Sequence, residues 1–158
     1  MTIEQAIYFK VLLSNGYTEE LLQYVNTALE AQSTLSDVVL ELAYAGNDRE
    51  KLISILSEYL IELKNDEIDF DGKLIDMFLA FFRRKYREEN MPLDELVTVM
   101  HNCAMCYSNL WDAPNNSLWY TMYIADECYE WGERTHFLQT LNDFLDYKKP
   151  MHFSDFSY

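Results

Sequence analysis

A chain of 158 residues with 49% apolar side chains is the size of one domain and can bury roughly 70% of its unfolded surface, so its composition excludes disorder despite the charge. Twenty-seven acidic against twelve basic side chains give a formal net charge of −15. Phosphates and anionic lipids both require a basic footprint, so this balance argues against direct nucleic-acid binding and against a membrane surface.

Four glycines and three prolines favour long helices over many tight strand turns. The three cysteines, Cys103, Cys106 and Cys128, form no disulfide framework by count or spacing. The start at Met1-Thr2-Ile3-Glu4 lacks a signal peptide's basic and apolar regions, and no apolar run approaches the ~20 residues of a membrane span. A reduced, cytoplasmic protein is the expectation.

In chain order, Thr2 and Gln5 form a capping box for a first helix carrying Ile3, Ala6, Ile7, Phe9, Val11 and Leu13, which Asn15-Gly16 stops. A second helix starts at Thr18, with Leu21, Leu22, Val25, Ala28 and Leu29 as its stripe. Ser33, Thr34 and Ser36 offer N-caps for a third, which stops at Gly46. Asn47, with Glu50 three residues on, is the predicted cap of a fourth, striped by Leu52, Ile53, Ile55, Leu56, Tyr59, Leu60 and Leu63.

Residues 65–72 read as a polar, acidic break. The fifth helix follows, with Leu74, Met77, Phe78, Phe81 and Phe82 on one face and a basic tip of Arg83, Arg84, Lys85 and Arg87. Pro92 suits the first position of a sixth helix, which Asp112-Ala113-Pro114-Asn115-Asn116 breaks. Ser117 caps a seventh, and Gly132 divides it from an eighth holding Phe137, Leu138, Leu141, Phe144 and Leu145. An irregular tail is expected over 147–158.

No stretch alternates cleanly enough for a strand, so the predicted fold is all-α, with about eight helices in one domain spanning 1–158. Turns near Gly16, Gly46, Met91 and Gly132 suggest four antiparallel pairs, as an irregular helical-repeat array or a compact multi-helix bundle.

Several constellations invite chemistry and are outweighed by simpler explanations. Glu67, Asp69, Asp71 and Gly72 match positions 1, 3, 5 and 6 of a calcium loop, but position 12 is Phe78 instead of a bidentate carboxylate. His101 and Cys103 project to nearly opposite sides of a helix, while Cys103 and Cys106 share its apolar face, so buried thiols are expected there and not zinc. Glu133 and His136 make one Glu-x-x-His where di-iron bundles need two. The basic tip at 83–87 suits the negative end of its helix, or pairing with Glu88, Glu89 or a neighbouring acidic helix, better than a phosphate. Neither a metal, a cofactor nor catalytic residues are nominated.

The stretch from Met91 to Glu133 is different. It carries seven carboxylates and all three tryptophans (Trp111, Trp119, Trp131), with no Lys or Arg. Asp126 and Glu130 stack like charges four residues apart, in the half of a helix whose dipole also disfavours anions. Local stability gives no reason for that placement; a cationic partner does. The candidate partner-binding residues are Asp126, Glu127, Glu130 and Glu133, with Trp119, Tyr123 and Trp131 as anchors and Asp112 nearby.

In composition and architecture over its whole length, this small, acidic, all-helical chain resembles the immunity proteins of bacterial toxin–immunity systems, including contact-dependent inhibition. The resemblance implies a protein that binds a cognate toxin domain, often a basic nuclease, and covers its active site. A helical-repeat adaptor holding a peptide or partner helix is the main alternative, and an enzyme assembled from scattered carboxylates and Cys103/Cys106 is a third.

Overall fold

The computed structural model describes residues 1–31, 34–106 and 117–156. Among these it contains eight α-helices and no strand. They are α1 (Ile3–Ser14), α2 (Glu19–Ala31), α3 (Asp37–Ala45), α4 (Arg49–Glu62), α5 (Ile75–Arg83), α6 (Leu93–Met105), α7 (Ser117–Trp131) and α8 (Arg134–Tyr147). The fold is all-α, as predicted. By its contacts the chain divides into two compact units, 1–69 and 70–158.

In the first unit α1 is the buried centre. Ala6, Ile7, Val11, Leu12 and Leu13 are each at most 2% exposed, and Tyr8 and Phe9 close the opposite side. A helix apolar around its circumference belongs inside. The Thr2/Gln5 capping box is present in both directions, at 3.1 and 2.9 Å. Gly16 (φ 86°) stops the helix in the left-handed region that a side chain rarely adopts.

The principal partner of α1 is α4, not α2. Arg49 at the start of α4 donates to the carbonyls of Leu13 and Ser14 at the end of α1, satisfying orphan acceptors with a cation at the negative end of the dipole. Tyr59, toward the other end of α4, donates to Met1 O at 2.7 Å. The two helices are therefore antiparallel, with α3 against α4 and α2 against α3. The cap of α4 is Asp48, whose carboxylate accepts from Lys51 N, not Asn47 as predicted. Only Leu52 and Leu56 of the predicted α4 stripe are buried.

In the second unit α5 is flanked by π-helical turns at Phe70–Leu74 and Arg84–Glu88, so the predicted acidic break ends sooner than Gly72. Phe78, Phe81 and Phe82 are fully buried with Phe137 and Phe144 of α8, each such ring contributing about 1.5–3 kcal/mol of burial. The basic tip pairs as expected. Lys85 and Arg84 lie 3.1 and 3.3 Å from Glu89, and Arg87 grips Asp146 at 2.7 and 3.0 Å and Asn142 at 2.8 Å. Pro92 sits one position earlier than predicted, as the residue flanking α6.

The strongest packing in this unit is α6 on α7. His101 meets Tyr123 and Ala104 meets Trp119, so these two run antiparallel. Among the pairs inferred from turns, α3/α4 holds, whereas α1 and α6 find their main partners further along the chain. Turn position alone does not determine which apolar faces meet.

The tail is more ordered than expected. Met151 is fully buried and its N–H donates to the buried Thr121 hydroxyl at 3.0 Å, after which Phe153–Phe156 forms a 3-10 turn. Phe156 packs against His136 and Phe137 and crosses Gly132 so closely that a Cβ there would lie 2.7 Å from its ring. Gly132 thus separates two helices and also seats the tail.

Candidate functional site

The candidate surface is one side of α7. Leu118, Trp119, Thr121, Met122, Ile124, Ala125 and Cys128 are buried, so about half of the helix is covered, chiefly by α6. What remains outward is a strip at helical spacing: Tyr120 (41% exposed), the half-buried Tyr123, Glu127, Glu130, and Trp131 at 69%.

The carboxylates of Glu127 and Glu130 have no ion-pair partner among the described residues, and both are exposed. Arg134, the next cation along the chain, stacks over Tyr129 at 4.5 Å. By helical spacing, Tyr129 lies away from the Tyr120–Glu127–Trp131 strip. The strip is therefore acidic, aromatic and free of internal neutralisation.

Two residues missed in the sequence extend it. His101 stacks on Tyr123 with ring centroids 4.8 Å apart, and its Nδ1–H donates to Tyr123 O at 2.7 Å. A carbonyl only accepts, so that nitrogen carries the proton. Phe153 of the tail stands edge-on to Tyr120 at 6.5 Å and is 46% exposed. The i, i+7, i+11 spacing of Tyr120, Glu127 and Trp131 was a signal available in the sequence; the tail contact was not.

The other predicted residues divide by role. Trp119 is not an anchor: it is 3% exposed, its Nε1–H donates to Ala104 O at 3.3 Å, and its ring meets Phe78 edge-on at 5.3 Å. Asp126 is half-buried, with Oδ1 3.5 Å from His101 Nδ1 and accepting from Glu127 N at 2.8 Å, so it helps to hold the His101 ring. Glu133 caps α8, accepting from Thr135 N at 3.0 Å and His136 N at 2.9 Å. That cap accounts for the Glu-x-x-His spacing. Asp112, with Trp111, lies outside the described residues, as does Ser33 among the predicted caps.

Among the described residues, no group of three or more His, Cys, Asp or Glu side chains is arranged to hold a metal ion. Cys103 and Cys128 are buried, which pushes both thiols up, that of Cys128 to about 12. Such thiols are poor nucleophiles. Cys106, expected to be buried, is exposed at the end of α6. No described helix is long and apolar enough to cross a membrane.

Three carboxyls are held below the usual carboxylate range: Glu133 by the N–H groups of Thr135 and His136, Glu89 by Lys85, and Asp146 by Arg87. Each binds its proton more readily in the unfolded chain. Their stabilisation is therefore complete above the ordinary carboxylate range and is lost as pH falls through the depressed folded values. Urea midpoints should decline from pH 5 toward pH 3, and less steeply in Glu133→Gln/Glu89→Gln/Asp146→Asn. An unchanged slope in that variant would assign acid sensitivity to other groups.

No protein-family model, curated protein or solved structure matches this chain.

Proposed function

We propose that this protein binds and neutralises a basic partner, as an immunity protein that covers the active site of a cognate toxin nuclease with the α7 surface. The observation that carries this reading is the exposure of Trp131 beside Glu127 and Glu130, two carboxylates with no ion-pair partner among the described residues. An exposed tryptophan is a typical interface anchor, and the surrounding acids supply complementarity to a phosphate-binding cleft. A nuclease cleft is cationic because of its substrate, so a carboxylate surface can occupy the same ground. Association would be steered, fast and weakened by salt. The partner-binding residues are Glu127, Glu130 and Trp131, with Tyr120 and Tyr123 along the strip.

The adaptor alternative has less support. In helical-repeat arrays each helix contacts its sequence neighbours, whereas α1 packs principally on α4.

The test is capture of the tagged protein from the cells that make it, at low and high salt, with mass spectrometry of what is retained. One stoichiometric basic protein, released by salt and toxic when expressed without this chain, is the expected result. Several partners, or one indifferent to salt, would refute the immunity reading and favour an adaptor.

A further inference from the structure

The first unit is the more acidic for its length, with thirteen carboxylates against four basic side chains in residues 1–69. Four of those carboxylates line one groove. Asp37 and Glu41 project from α3, and Glu58 and Glu62 from α4, around a cavity of about 230 Å³. It continues past Glu41, Ile55 and Glu58 into a more open hollow of about 390 Å³, with Tyr44, 90% exposed, at its mouth.

Asp37 suits the first turn of α3, where the helix dipole favours an anion, but the fold gives no such reason for Glu41, Glu58 and Glu62. Both acidic pairs are spaced i, i+4 along their helices, so each stacks like charges at a cost of a few tenths of a kcal/mol. Glu62 also sits at the negative end of α4. No cation pairs with any of the four among the described residues. Lys51, the one basic side chain lining either hollow, is 3.9 Å from Asp48, and Arg49 is occupied by the end of α1.

The lining is mainly polar, with an apolar contribution from Val38, Ile55 and the Tyr59 ring. Val38 and Ile55 line the floor, and the Tyr59 ring is pinned by its hydroxyl bond to Met1 O. The narrower part, at about 230 Å³, is below the roughly 300 Å³ at which ligand pockets begin and has room for one long side chain. An aliphatic stem ending in a cation matches that form: the stem packs on Ile55 and Tyr59 while the head reaches Glu41 and Glu58.

We propose that the α3–α4 groove is a second docking surface, independent of α7, which takes a basic segment of a partner protein by seating a Lys or Arg side chain between the two helices. Its existence does not depend on the toxin reading.

The probe is acetyl-Ala-Arg-Leu-Lys-Ala amide, titrated into the ¹⁵N-labelled full chain alongside a neutral isostere carrying citrulline and norleucine. Amide shifts should concentrate on Val38, Glu41, Ile55 and Glu58 and be absent with the isostere. Binding should weaken at least tenfold in Glu41→Gln/Glu58→Gln but less than twofold in Glu19→Gln/Glu30→Gln, which removes the same charge from α2 in the same unit. All four substituted positions are exposed, so both variants should fold. Shifts spread over every acidic face, or none at millimolar peptide, would overturn the proposal. So would equal affinity in the two variants. Spermidine filling the groove as tightly as the peptide would make the occupant a small polycation, and groove shifts that grow with protein concentration alone would make it a second copy of this chain.

Discussion

Replacing Trp119 with alanine is expected to cost about 3–5 kcal/mol of folding stability, the range for truncating a buried tryptophan. The side chain is 3% exposed, packs edge-on against Phe78, and satisfies Ala104 O through its indole N–H. Truncation leaves a cavity where α7 meets α6 and α5, and also removes a buried hydrogen bond. Leu118 and Met122 flank the site on α7 and are themselves packed, so the hole has little room to close. Urea denaturation gives the number directly. A loss below about 1 kcal/mol would mean that the indole is not core and would reopen its assignment as an anchor.

Trp131→Ala should behave in the opposite way. At 69% exposure the ring buries little on folding, and stability should change by less than about 0.5 kcal/mol. Its expected effect is on binding, where loss of a tryptophan anchor costs about 2 kcal/mol or more, roughly thirtyfold in Kd. Calorimetry of the captured partner against parent and variant measures it. Equal affinities would place the interface elsewhere on the chain. These two results together would separate folding from recognition on one helix.

What could be read from the sequence was mostly local. Gly16, Gly46 and Gly132 mark helix ends because their neighbours bury periodic faces on either side, and Thr2/Gln5 identifies its own cap. The all-α class follows from those signals. Packing order does not. That α1 lies against α4 depends on Arg49 and Tyr59 reaching the two ends of α1, contacts across more than thirty residues that no turn announces.

The candidate site was legible in charge and not in exposure. About half of α7 is covered and aromatic residues fall on both sides of it, so its periodicity is blurred, and Trp119 and Trp131 look alike in the sequence. Glu133 looked like part of the patch because an acid after Gly132 reads equally as a cap or as surface charge; the paired N–H bonds from Thr135 and His136 decide it. The α3–α4 groove is not legible in the sequence because its acids are distributed over two helices with Arg49 and Lys51 between them. Only the packing of α3 on α4 collects them.

Glu127 and Glu130 are the carboxylates proposed to meet a basic partner. The most direct test is parallel capture by the parent chain and by Glu127→Lys/Glu130→Lys, both first shown to unfold at the same urea concentration. The parent is expected to retain a stoichiometric basic protein at low salt and the reversed variant less than a tenth as much, because two attractive contacts become repulsive. Equal recovery by the two chains would contradict that proposal and remove the α7 strip from the partner's binding site.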